Sequence, residues 1–219
     1  MGTRYDTSDA AEREEGLAEA GRAVQRGQVV VLPTDTVYGL GVDAFSPSAV
    51  QRLFDVKGRG RDMPPPVLVS ARTTLEALAI DIPAWAHALV DELWPGPLTL
   101  VLRQQPSLQW DLGETRGTVA VRMPDHEVAL DLLSRTGPLA VSSANLSGRP
   151  PATDVDDAQK MLGRHVRVFL DAGATPGPVP STIVDCTSDA GRLLRRGVLD
   201  LERLNEVVRP LDTEIRDEG

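Results

Sequence analysis

The sequence predicts a single mixed α/β (α+β) domain: a twisted, mixed and largely buried sheet with flanking helices. Three observations carry this expectation. Strand-like and helix-like segments intermingle along the chain, with no internal repeat and no low-complexity linker between them. The apolar run at 28–32 reads as a buried strand, covered on both faces. The 219 residues, 41% hydrophobic and 25% charged, match a chain that buries its own core rather than a disordered or fibrous one.

Taken in order, Ser8-Asp9 opens and Gly27 closes an amphipathic helix over 9–26, with Leu17, Gly21 and Val24 on one stripe. Ser46-Pro47 is a cap followed by a first-turn proline, and Val50, Leu53 and Phe54 form the apolar face of a helix ending near Lys57-Gly58. Glycine and prolines make 58–66 a loop. Strands follow at 67–69, 98–102, 118–121, 139–142, 166–170, 182–185 and 192–195. Helices are expected at 74–78, 84–93, 126–134, 155–162 and 201–208, and Trp94-Pro95-Gly96-Pro97 is a firm breaker. The Gly/Pro-rich stretch 172–180 reads as a mobile surface loop.

The formal charge is −9, and the cations are 21 Arg against two Lys. Much of the acidity lies at the ends: residues 1–19 carry −4 and 212–219 carry −3, leaving −2 for the rest. Residues 1–15 and 209–219 are accordingly expected to fray around a folded body at 16–208. A nearly neutral body lacks the overall basic excess of a duplex-binding protein. Cys186 is alone, and His87, His126 and His165 are scattered, so neither an internal disulfide nor a metal-ligating set is expected. No apolar run reaches the ~18 to 20 residues of a membrane span, and the acidic start is unlike a signal peptide, which points to the cytoplasm.

Three constellations could carry chemistry. Pro33-Thr34-Asp35-Thr36-Val37-Tyr38-Gly39-Leu40-Gly41 concentrates hydroxyls, a carboxylate and glycines just past a buried strand, a pattern equally compatible with a Pro/Gly turn. Gly39-x-Gly41-x-x-Ala44 imitates a dinucleotide fingerprint, but Ser46-Pro47 delays the next helix. Lys57-Gly58-Arg59-Gly60-Arg61 sets three cations on a loop, suited to a triphosphate or to plain solvation at a helix C-terminus. Ser142-Ser143-Ala144-Asn145-Leu146-Ser147-Gly148 follows a strand, where open α/β sheets bind ligands and where turns and caps also form. There is no phosphate-binding P-loop, no kinase signature and no Gly-x-Ser-x-Gly elbow.

In this order, PTDTVYGL, KGR, TVAVR, SSAN-SG, STIVD and LLRRG resemble the YrdC/Sua5 family of threonylcarbamoyl-AMP synthases, from about residue 16 to 208 and in the short form. The resemblance implies a concave basic cleft over the sheet. It also implies an enzyme joining L-threonine, bicarbonate and ATP into threonylcarbamoyl-AMP and pyrophosphate, for N6-threonylcarbamoylation of adenosine 37 in tRNAs reading ANN codons. Carried across motif by motif, it puts Lys57 and Arg59 in the catalytic role, on the ATP phosphates. Thr34, Arg122, Ser143 and Ser181 fall on the threonine and bicarbonate side, with Arg122 at the threonine carboxylate. Thr118, Asn145 and Arg195 fall at the nucleotide.

Magnesium is expected with the ATP and without dedicated protein ligands. The expected partners are the three substrates, a downstream TsaD-type transferase complex and, weakly, tRNA, with no membrane. Ser70 stands where many members have histidine, and Arg61 is expected to add a second guanidinium at the phosphates. Two other readings compete: a non-catalytic RNA-binding module using the same cleft, and a sugar-phosphate enzyme of the related 3,4-dihydroxy-2-butanone 4-phosphate synthase fold. Only 4% aromatic content disfavours the first, and the missing acidic metal motif disfavours the second.

Overall fold

The computed structural model describes residues 2–217. One twelve-stranded mixed sheet forms the centre. Its strands are β1 (Thr3–Asp6), β2 (Val29–Leu32), β3 (Gly39–Asp43), β4 (Val67–Leu68), β5 (Ala79–Ile80) and β6 (Leu98–Gln104), then β7 (Thr118–Arg122), β8 (Leu139–Ser143), β9 (Val166–Asp171), β10 (Thr182–Asp185), β11 (Gly191–Arg195) and β12 (Ile215–Arg216). The order across the sheet is β1-β9-β2-β3-β8-β4-β7-β6-β10-β11-β12, with β5 paired to β6. Parallel pairing joins β9 to both β1 and β2, β4 to β7, β6 to β10 and β11 to β12, and the remaining pairs are antiparallel.

The helices are α1 (Ala10–Gln25), α2 (Pro47–Lys57), α3 (Thr74–Leu78), α4 (Ala84–Leu93), α5 (Glu127–Thr136), α6 (Val155–Leu162) and α7 (Leu201–Val208). Their ends follow the sequence signals. The Asp9 carboxylate caps α1, the Ser46 hydroxyl caps α2, and α2 stops at Gly58 in the left-handed region (φ 60°).

Strand β2 is apolar throughout because both its faces are covered. Val29 and Val31 belong to a core shared with Val50, Leu53, Leu89, Leu162, Leu204 and the inner residues of the middle strands. Val30 and Leu32 belong to a second core with Leu17 and Val24 of α1 and Leu132 of α5. Helices α1 and α5 thus pack on one face of the sheet against β9, β2, β8 and β4. A cavity opens on the sheet toward β6 and β10.

Both chain ends correct the sequence reading. Residues 3–6 do not fray: β1 pairs with β9, Arg4 bridges Asp171 and Asp156, and Tyr5 packs so close to Gly16 that a Cβ there would lie 2.7 Å from it. Beyond α7 a 3₁₀ turn (Arg209–Leu211) leads into β12, and Asn205 holds Ile215 by both backbone groups, at 2.8 and 3.0 Å. The two outer strands escaped notice because one is a polar edge strand and the other has only two residues. Strand β5, equally short, was missed for the same reason.

Candidate functional site

The cavity, about 450 Å³, lies over strands β3, β8, β4, β7, β6 and β10. Strand alternation populates it. In β7, Val119 and Val121 join the core while Thr118, Ala120 and Arg122 alternate with them; register then sets Val101 beside Ala120 and Ile183 beside Thr99. Small residues keep the floor low: a Cβ on Gly39 would come within 2.7 Å of Val141. Among the described residues, the lining includes Arg59, Arg122 and Arg195 and many hydroxyls, and no carboxylate.

Arg122 is 6% exposed and held from three sides. Its Nε donates to Gly96 O (3.0 Å), Nη1 to Thr36 Oγ1 (3.0 Å) and Nη2 to Asp35 Oδ1 (2.5 Å). Asp35 Oδ1 also accepts the Asp125 N–H at 3.0 Å. Burial lowers the Arg122 pKa, and the adjacent Asp35 charge opposes that. A guanidinium carries five N–H donors, so two remain for a ligand carboxylate.

Around it, Thr34 Oγ1 donates to Val37 O (2.7 Å) and accepts from Thr36 N (3.1 Å), which fixes the turn after β2. Ser181 Oγ lies 2.8 Å from Thr99 Oγ1 and accepts from Arg195 Nη2 at 2.9 Å. Thr118 Oγ1 donates to Thr115 O at 2.7 Å. Arg59 lines the cavity, and its Nε is buried without a hydrogen-bond partner, a donor left for a ligand.

Of the residues singled out by sequence, Thr34, Arg59, Thr118, Arg122, Ser143, Ser181 and Arg195 line the cavity. Lys57 and Asn145 do not: they are buried at its side, Lys57 Nζ donating to Ser143 O (2.6 Å) and Asn145 Oδ1 (2.8 Å). Burial, then the neighbouring Arg59 charge, pushes the Lys57 pKa down to about 7. Arg61 is placed elsewhere, contrary to expectation. Its guanidinium pairs with Asp111, bonds Gln51 Oε1 at 2.9 Å and lies over the Phe54 ring, away from the cavity lining. Ser70 does not line the cavity either.

Asp35, Thr36 and Thr99 were given no role from sequence. Thr99 could have been found as the one polar residue in the apolar run Leu98–Leu102, and Asp35 as an acid set between two hydroxyls.

The loop after β9 is tied to the same motif. Tyr38 Oη donates to Gly173 O (2.6 Å) and accepts from Ala172 N (3.0 Å), and burial raises the phenol to about 12, so it stays a donor. Tyr38→Phe is expected to cost roughly 1–3 kcal/mol by orphaning those groups. Urea unfolding checks this, and a midpoint equal to wild type contradicts it.

A family model described as "Telomere recombination" (Sua5, YciO, YrdC) matches residues 22–197. A Mycobacterium tuberculosis protein provisionally named a threonylcarbamoyl-AMP synthase is 51% identical, covering 95% of this chain and 96% of its own. The Pyrococcus abyssi threonylcarbamoyl-AMP synthase is 40% identical over 84% of this chain and 55% of its own. The crystal structure of P. abyssi Sua5 complexed with L-threonine superposes with a TM-score of 0.89 at 36% identity, covering 99% of this chain and 62% of that one. With the motif order, the sheet and these matches in agreement, the chain belongs to the Sua5–YciO–YrdC family.

Proposed function

We propose that this chain is a threonylcarbamoyl-AMP synthase, joining L-threonine, bicarbonate and ATP with release of pyrophosphate. The observation that carries the reading is the cavity itself: a carboxylate-free recess with three arginines and a ring of hydroxyls, in a chain that matches synthases of that name.

The reaction needs no protein nucleophile. The threonine amine attacks the bicarbonate carbon, water leaves, and a carbamate oxygen attacks the α-phosphorus as the bond to pyrophosphate breaks. Acceleration then comes from positioning and from charge placed where it develops. The two uncommitted N–H groups of Arg122 would take the threonine carboxylate as a planar pair. Thr34, Ser143 and Ser181 would orient the hydroxyl and carbamate ends. Arg59, with its orphaned Nε, would meet the phosphates, and Lys57 would hold Ser143 toward the carbamate and Asn145 toward the nucleotide. Arg195 and Thr118 would flank that nucleotide.

Magnesium would travel with the triphosphate. It favours oxygen ligands and retains water, and the lining supplies hydroxyls but no carboxylate, so phosphates and water would complete its shell. The product would pass to a TsaD-type transferase acting on tRNA. The reading of the cavity as an RNA groove is not favoured, because its volume fits small substrates. No helix among the described residues is long and apolar enough to cross a membrane.

Pyrophosphate release should require threonine, bicarbonate and ATP together. Arg59→Ala should lower it about 10²- to 10³-fold, the effect typical of one lost charge-stabilising donor. Release that persists without threonine would refute the synthase reading, and an unimpaired Arg59→Ala would refute the phosphate role.

A further inference from the structure

Two buried polar atoms, Asp35 Oδ2 and His126 Nδ1, have no hydrogen-bond partner. They lie on segments already bonded to each other. Arg122 Nη2 and the Asp125 N–H both donate to the other Asp35 oxygen, Oδ1, and His126 is the next residue in the chain. Residues 122–126 thus fold round one carboxylate, with Arg122 at one end of the segment and His126 at the other.

Neither capping nor substrate contact accounts for the ring. His126 stands at the N-cap of α5, yet its side chain makes no capping bond. It does not line the cavity. The charges around it are Asp35 from the turn after β2, Glu127 and Asp125 from its own segment, and Arg13 from α1, itself bridged to Glu127 and Asp131. Asp35 acts on the ring more strongly than either chain neighbour does. Burial outweighs these charges and holds the imidazole pKa below its ordinary 6.5, so near pH 7 the ring is neutral and carries a single N–H.

We propose that His126 is a positioning residue for the substrate carboxylate: its Nδ1–H satisfies Asp35 Oδ2, directly or through one ordered water, and so steadies the Arg122 guanidinium. A carboxylate held at one oxygen can swing about that contact. Held at both it cannot, and the Arg122 donors left for a ligand keep one direction. The role deepens the synthase reading, since it takes the ligand of Arg122 to be threonine; the pairing of His126 with Asp35 does not depend on that reading.

Calorimetric titration with L-threonine and pyrophosphate-release kinetics on the full chain test the role. His126→Ala should raise the threonine Kd and KM about 10-fold, the loss typical of one hydrogen bond to a charged group, with kcat kept within about twofold. His126→Phe keeps a ring in place without a donor and should do the same. In an Asp35→Asn background, His126→Ala should add less than about twofold, because the two side chains act as one unit. The pairing is read without substrate from the imidazole NMR signals, where Asp35→Asn should lower the His126 titration midpoint by about one unit. A wild-type threonine KM in either single His126 variant, additive effects in the double variant, or an unmoved midpoint overturns the proposal. Should His126→Ala lose cooperative unfolding, His126→Phe carries the same comparison. Wild type that neither binds threonine nor releases pyrophosphate would count against the synthase reading instead, and the midpoint still decides the pairing.

Discussion

Replacing Asp35 with alanine is expected to cost about 3–5 kcal/mol of stability, because it strands a buried guanidinium. Arg122 and Asp35 have side chains only 7% and 13% exposed, so neither charge can recover its lost hydration. The Gly96 carbonyl and the Thr36 hydroxyl would remain as the acceptors of Arg122, and neither carries charge. A second substitution separates this cause from a general loss of packing. Adding Arg122→Met to Asp35→Ala removes the uncompensated charge and should restore much of the stability, since apolar isosteres of buried pairs are often neutral or better. Activity should stay lost, because the proposed carboxylate anchor is gone. Guanidinium chloride unfolding gives the stability and pyrophosphate release the activity; a double variant no more stable than Asp35→Ala contradicts the account.

The second large effect concerns Lys57. Its folded-state pKa is pushed down to about 7 from the ordinary 10.5, so the unfolded chain holds this proton more tightly than the folded one across that window. Stability should therefore rise with pH between about 7 and 10.5 and be level below 7, where both states carry the proton. Against Lys57→Met, wild type should gain roughly 1 kcal/mol per pH unit inside the window. The catalytic consequence runs the other way. Because the ammonium holds Ser143 O and Asn145 Oδ1, kcat/KM for ATP should fall above about pH 7 in wild type relative to Lys57→Arg, whose charge persists. Parallel profiles for the two enzymes from pH 6 to 9 would show that this proton has no part in nucleotide capture.

The sequence read best where local chemistry and tertiary packing agree. Helices α3, α4, α6 and α7 were legible because apolar spacing ends where the helices end, helped by the Pro95 breaker after α4 and by the Asp154 and Asp200 caps of α6 and α7. The turn after β2 was read as one piece, yet its last three residues are strand: Gly39–Gly41 open β3, where a Cβ would come within 2.7 Å of Val141 at Gly39 and 3.1 Å of Leu32 at Gly41. Arg61 illustrates the opposite limit. Its spacing from Lys57 placed it at the phosphates, but a loop is not periodic, and Asp111, fifty positions away, captures the guanidinium. Long-range pairing of that kind has no local signature. The same holds for Asp35, whose partner lies on a strand 87 residues on.

The strands at the two lateral margins of the sheet have a consequence for solubility. An open sheet of this width would offer two rows of unsatisfied backbone groups to neighbouring molecules. Here one margin is a four-residue strand carrying Arg4 and Asp6, and the other a two-residue strand ending in Arg216 amid acidic neighbours. Both are too short and too charged to template a further strand. Each margin thus sets opposite charges side by side, Arg4 near Asp6 and Arg216 bridged to Glu214, and an incoming strand would have to strip water from both before it could pair.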